Sequence, residues 1–187
     1  MKNNLFPALR LTLVLLVLCG LLYPLLIWGA AQFAPGQGRG VTLSQNGRVV
    51  GYANVGQKFD RPEYFNSRPS AVDYNAAGSA GSNKGPTNPE YLALVQARLD
   101  TFLLQNPGTS KNQVPAELLT ASGSGLDPHL SPRGAAVQMA RVARARGLSA
   151  AQVQALLTQQ TETGLLAPSR VNVLELNLAL DALAPRR

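Results

Sequence analysis

Ser124, Asp127 and His129 lie within one short stretch, SGSGLDPHLSP (122–132), and serine, acid and imidazole are the parts of a nucleophilic site. Such a site works only when the imidazole reaches both partners, and nearness along the chain does not provide that geometry. Asp127-Pro128 instead favours a rigid turn leading into a helix start at Ser131-Pro132. A second pairing sits in GSAGSNKG (78–85), where Ser79 and Ser82 lie close to Lys84. Lysine acts as a base near neutral pH only when burial strips its ammonium of water, which a glycine-rich loop does not supply. The same run is not a nucleotide loop, because Lys84 is followed by Gly85 rather than Ser or Thr. His129 is the only histidine, so no multi-histidine metal site can form within one chain. No catalytic, cofactor-binding or metal-binding residue is assigned.

The element that decides where these residues work is a membrane-length helix. Residues 11–33, LTLVLLVLCGLLYPLLIWGAAQF, carry no charge over 23 positions. At about 1.5 Å per residue they reach roughly 34 Å, enough for a hydrocarbon core of about 30 Å. Phe6 and Trp28 stand near its two ends, at the level where aromatic rings meet headgroups. Pro24 removes one amide and frees the carbonyl of Gly20, which predicts a modest bend. Lys2 and Arg10 precede the span, Arg39 and Arg48 follow it, and no acidic residue comes before Asp60. The positive-inside rule then narrowly favours a cytoplasmic amino terminus and an exoplasmic carboxy-terminal head. A cleaved signal peptide is the rival, with Gly29-Ala30-Ala31 as its small-residue site. The apolar stretch is longer than the ~7–15 residues of a signal core, which favours a retained anchor.

The predicted organisation is a cytoplasmic stub (1–10), a transmembrane helix (11–33), a linker (34–40) and an exoplasmic or periplasmic domain (41–187). That domain is large enough for one real core. Cys19, the only cysteine, lies in mid-span, so the head has no disulfide and relies on packing. Fifteen basic residues against ten acidic ones follow the span, a surplus suited to anionic headgroups or an acidic partner patch. Nucleic acid is excluded as a partner, since neither a finger nor an aromatic RNA-binding pattern occurs.

Within the head, VTLSQNGRVVGYANVGQKF (41–59) carries β-branched residues around Asn46-Gly47, the signature of a tight antiparallel hairpin. Residues 60–89 are long for an irregular connection, and their aromatic and proline residues point to an ordered loop system. Asn88-Pro89 caps a predicted amphipathic helix over 89–105, with Leu92, Val95, Leu99, Phe102 and Leu103 on one side. A brief helical region is expected near Pro115, one helix from Ser131 to Arg146 with Gly147 as its C-cap, and another over 150–162 behind a Ser149/Gln152 capping box. RVNVLELNLALDAL (170–183) permits alternation or helix; Asn172 followed by Glu175 resembles a helix cap and favours helix. The fold class is a single N-terminal transmembrane helix followed by a compact, helix-rich α+β domain with a small antiparallel hairpin.

Taken in order, several blocks resemble one family. They are the basic start and Tyr23-Pro24-Leu25 in the span, the hairpin ending in VGQKF, and YFNSRPSAVDYNAAGSAGSNKGPTNP. VPAELLTASGSGLDPHLSP (114–132), RVARARGLS (141–149) and RVNVLELNLALD (170–181) follow. Together they are similar to the C subunit of bacterial Kdp-type potassium-transporting P-type ATPases, over nearly the whole chain. The resemblance implies an accessory, non-catalytic subunit in an inner-membrane complex that imports K⁺ with ATP and Mg²⁺. Its partners would be a channel-like potassium-translocating subunit, the phosphorylated P-type subunit that binds the nucleotide, and a small single-span subunit. The implied role is assembly or stability of that complex, with possible coupling between its catalytic and channel-like parts.

Against that frame Tyr64, Phe65, Arg68, Tyr74 and Asn75 form a candidate partner-facing rim, and Asp127 and His129 a second. Packing within the domain is the equal alternative for these loop residues. A membrane-anchored exoplasmic serine hydrolase and a free-standing periplasmic binding module stand as the competing functions.

Overall fold

The structure is a computed structural model that describes residues 2–164 and 166–183. Positions 184–187 of the predicted domain lie outside the described residues. Contacts divide the chain into two units, Met1–Val41 and Thr42–Arg187.

In the first unit, helix α1 (Lys2–Val17) runs into a π-helical turn (Leu18–Leu22) and then helix α2 (Tyr23–Ala31). Asn4–Ala31 is one apolar stretch of 28 residues, long enough to cross a membrane by length and composition. The helix starts well before residue 11 and takes in the basic amino-terminal segment. Where a bend is predicted, the backbone widens into the π-helical turn. Pro24 has no N–H for the turn below it and its ring crowds the Gly20 carbonyl. The preceding turn relaxes to wider bonds, with the Tyr23 N–H donating to the Leu18 carbonyl.

The second unit begins with a hairpin of β1 (Thr42–Gln45) and β2 (Arg48–Tyr52). Asn46 and Gly47 turn it at φ 53° and 76°, the left-handed pair that such a turn demands. The chain then runs without α-helix or strand to α3 (Pro89–Gln105), capped as predicted by the Asn88 side chain accepting from the Tyr91 N–H at 2.9 Å.

The region after Pro115 is a single 3₁₀ turn, Ala116–Leu118. Strand β3 (His129–Leu130), helix α4 (Pro132–Ala136), helix α5 (Met139–Arg146), helix α6 (Ala150–Gln159), strand β4 (Thr161–Glu162), strand β5 (Arg170–Asn172) and helix α7 (Val173–Leu183) complete it.

Two departures from the sequence reading have clear causes. The expected helix from Ser131 to Arg146 is broken at Val137-Gln138, because the Gln138 side chain donates to Gly134 O at 3.1 Å while its own N–H bonds Ala135 O at 3.0 Å. RVNVLELNLALDAL is both of its alternatives. Its first three residues are the central strand of an antiparallel sheet ordered β3-β5-β4, and the rest is helix. Asn172 makes the switch, its side chain accepting from the Leu174 and Glu175 N–H groups at 3.0 and 3.2 Å. The core gathers Phe65, Phe102, Leu130, Val142, Val153, Leu157, Val171, Leu176 and Leu180 around these helices and the small sheet.

Candidate functional site

The loop of 60–89 is fastened in two different ways. Residues 61–64 turn, with the Tyr64 N–H donating to the Arg61 carbonyl at 3.2 Å, and residues 65 and 66 have no strand to pair with, so the backbone needs other partners. Side-chain amides supply them. Asn177 of α7 accepts from the Phe65 N–H at 2.9 Å and donates to the Phe65 carbonyl at 3.0 Å. Gln138 does the same for Asn66, at 2.8 and 3.2 Å.

Arg141, buried on α5, closes the arrangement. Its guanidinium donates to the carbonyls of Pro62 and Tyr64 and to the side-chain oxygens of Asn66, Asn106 and Gln138, at 2.6–3.0 Å. Burial lowers its pKa to about 10, with Glu63 opposing the shift, so the group stays cationic at neutral pH. A cavity of about 280 Å³ opens beside it, but five acceptors already occupy the five N–H donors of Arg141.

Tyr64 and Phe65 are therefore placed inside the domain. Phe65 is wholly buried, and Tyr64 packs beneath the Arg146 guanidinium at 4.8 Å while donating to the Asp181 carboxylate at 3.0 Å. Arg146 itself pairs with Asp181 at 2.6 Å, largely out of solvent.

Residues 67–82 are held instead by a second loop, 122–127. Ser70 Oγ donates to Gly125 O at 2.7 Å and accepts from the N–H groups of Val72 and Tyr74. Ser79 Oγ donates to Ser124 O at 3.0 Å. The approach is so close that a Cβ on Gly125, at φ 69°, would lie 2.7 Å from Val72 and 2.8 Å from the Ala80 carbonyl. Asp73 and Tyr74 both take left-handed backbone conformations, uncommon for side-chain-bearing residues. The Tyr74 hydroxyl donates to the Arg68 carbonyl, and burial pushes its pKa up to about 12. Asn75 is exposed and caps the short turn at Ala76–Gly78.

At the seam between the two loops stands a charged cluster. Arg68 donates to Asp127 at 3.0 Å; the other Asp127 oxygen accepts from the His129 N–H at 3.0 Å and lies 3.4 Å from His129 Nδ1. All three side chains are partly exposed. Arg68 Nε is shielded and has no hydrogen-bond partner among the described residues. Four of the seven singled-out residues, Arg68, Tyr74, Asp127 and His129, thus come together, whereas Tyr64 and Phe65 belong to the core and Asn75 to the exposed rim.

The other sequence pairings take structural roles. Ser124 Oγ accepts from the Leu126 N–H at 3.1 Å, Ser131 caps α4, and Lys84 pairs with Glu90 at 3.2 Å rather than with a serine. Among the described residues no cluster of three His, Cys, Asp or Glu side chains could hold a metal ion.

Asn177, Gln138 and Arg141 escaped the sequence reading. Their signal was a polar residue on an apolar side: Asn177 sits three positions from both Leu174 and Leu180, which are buried. Arg141 shares its run with Arg144 and Arg146, and cations near a helix C-terminus already have an ordinary explanation in the helix dipole.

A sequence model of the family described as K⁺-transporting ATPase, c chain, matches residues 5–182. The potassium-transporting ATPase KdpC subunit of Flavobacterium johnsoniae is 57% identical over 181 residues, covering 97% of this chain and 99% of that one. The subunit of the same name from Bacteroides thetaiotaomicron is 49% identical over 185 residues, covering 96% and 98%. That from Polaromonas naphthalenivorans is 50% identical over 192 residues, covering 99% and 97%. A match spanning the apolar helix, both loops and the closing strand–helix pair leaves one assignment: the chain belongs to the K⁺-transporting ATPase c chain family.

Proposed function

We propose that this chain is a non-catalytic accessory subunit of an ATP-driven potassium importer in the bacterial inner membrane, needed to assemble or stabilise it. The amino terminus faces the cytoplasm and the head lies outside. The channel-like, P-type and small single-span subunits are its partners, and ATP, Mg²⁺ and K⁺ are handled by the complex rather than by this chain. The observation that carries the reading is the partly exposed Arg68–Asp127–His129 seam, charged and held by two interlocked loops on a tethered head. Such a rigid charged edge fits docking, because it needs little ordering on association. Any influence on nucleotide affinity would have to pass through the span or through the partners' conformations, since an exoplasmic head is across the membrane from an ATP site.

Purification of the full-length chain in mild detergent, with mass analysis of what accompanies it, tests the proposal. A P-type ATPase and a large channel-like subunit are expected, with K⁺-dependent ATP turnover that collapses in cells lacking this chain. Recovery of the chain alone under conditions that preserve membrane complexes, or unchanged turnover without it, would overturn the accessory role. A serine labelled by a phosphonyl probe would revive the hydrolase alternative.

A further inference from the structure

The chain does not leave the membrane helix straight. Past Ala31 it folds back through a series of short-range bonds: Ala34 N–H to Ala31 O at 3.1 Å, Gln37 N–H to Ala34 O at 2.9 Å, and Arg39 N–H to Gly36 O at 2.8 Å. The reversal passes through left-handed conformations at Gly36, Gln37 and Gly38, with φ of 73°, 51° and 73°. Gly38 comes so near the helix end that a Cβ there would lie 3.1 Å from the Ala31 side chain. Glycine permits both the conformation and the approach.

Between this return and the last turns of the helix lies a groove of about 500 Å³. Its wall is apolar and aromatic, formed by Tyr23, Ile27 and Trp28, all of them exposed. Gln37 and Arg39 form its polar end. Arg39 is exposed and makes no side-chain hydrogen bond or ion pair with any described residue.

The site thus offers an apolar wall and, at one end, an unspent cation with five N–H donors. A water-soluble anion would satisfy the cation and leave the wall bare. A partner's apolar helix would cover the wall and leave the cation unmatched. An anionic phospholipid matches both, because its acyl chain lies beside its own phosphate. Trp28, near the end of the apolar helix, sets the polar end of the groove at headgroup depth, where that phosphate sits.

We propose that the groove closed by Gly36–Arg39 binds one anionic phospholipid, its phosphate on Arg39 and an acyl chain along Tyr23, Ile27 and Trp28. The proposal rests on the segment spanning a bilayer and is independent of which subunits the head meets. The bound lipid fixes the depth and rotation of the helix end from which the head emerges.

Trp28 is the only tryptophan, so its fluorescence reports the groove directly. The full-length chain is reconstituted in phosphatidylcholine vesicles that contain, at equal mole fraction, either brominated phosphatidylglycerol or brominated phosphatidylcholine. One interfacial cation enriches an anionic lipid about fivefold, so the brominated phosphatidylglycerol is expected to quench at correspondingly lower content. Arg39→Gln should reduce its quenching to the phosphatidylcholine level, and Arg10→Gln, at the opposite end of the helix, should leave the excess intact. Equal quenching by the two lipids, or an excess that survives Arg39→Gln, would overturn the proposal. Loss of the excess on adding soluble glycerophosphate would assign the site to free phosphate instead. Absence of quenching by both lipids would place Trp28 outside the bilayer and remove the span itself, a failure distinct from loss of headgroup preference.

Discussion

Tyr64 and Tyr74 stand ten residues apart in one irregular stretch, among similar neighbours, yet their surroundings differ in kind. Tyr64 is 4% exposed, covered by a guanidinium and bonded through its hydroxyl to Asp181, far along the chain. Tyr74 is half-buried, and its hydroxyl bonds the carbonyl of Arg68, six residues back in its own loop. The segment around Tyr64 borrows side chains from α5, α7 and the turn before α5, so it belongs to the hydrophobic core. The segment around Tyr74 is stitched mostly to a second loop and leaves a charged edge in solvent. One stretch of chain therefore serves as a structural strut in its first part and as an available surface in its second.

Removing the strut's central cation should break the comparison most severely. Arg141→Met strands carbonyl and amide acceptors from Pro62 to Asn66 without a donor, and the expected cost is about 4 kcal/mol or more. Urea unfolding of the full chain in mild detergent would measure it. A loss comparable to that of a surface substitution would show that the segment is not part of the core.

Breaking the loop-to-loop seam should cost less and act locally. Gly125→Ala forces a side chain into a left-handed backbone position against Val72 and Ala80, at about 2 kcal/mol. Amide exchange should quicken at Val72 and Tyr74, both bonded to Ser70, while Phe65 and Asn66 keep their protection. Equal loss of protection in both segments would mean that they open as one unit.

Tyr74 also carries a titration signature of its own. A phenol whose pKa rises on folding keeps its proton more tightly in the folded state, so it contributes stability up to its unfolded value near 10 and loses it as pH climbs to about 12. Ultraviolet titration should show a step near pH 12 that Tyr74→Phe removes. Persistence of the step in the variant would assign it to another tyrosine.

The smallest effect on folding is expected at the exposed edge. Arg68→Ala removes a partly exposed ion pair worth about 1 kcal/mol. If the seam docks a partner, the variant should fold normally yet bring down less of the complex in detergent. Undiminished recovery would leave the seam with an intradomain role alone.

Much of this was legible from local rules. The Asn46-Gly47 turn, the Asn88 cap with Pro89, the Ser149/Gln152 box and the Gly147 C-cap are decided by residues within a few positions of one another, and all occur where expected. The second sheet was not legible. Its strands β3 and β4 have two residues each and β5 has three, too short for any alternation to register, and they exist only because distant segments meet. Leu92, placed with Leu99 and Phe102 on one side of α3, is about half exposed, since the body of the domain covers only the later turns of that helix.

By itself the chain determined its apolar helix, its caps and turns, and its family, because those depend on composition, spacing and order along the sequence. Only the tertiary structure decided which loop aromatics are core and which polar side chains sustain them. Asn177, Gln138 and Arg141 are separated from residues 62–66 by more than 70 positions. A buried amide finds its partner through packing, and no local pattern encodes which carbonyl will be waiting there.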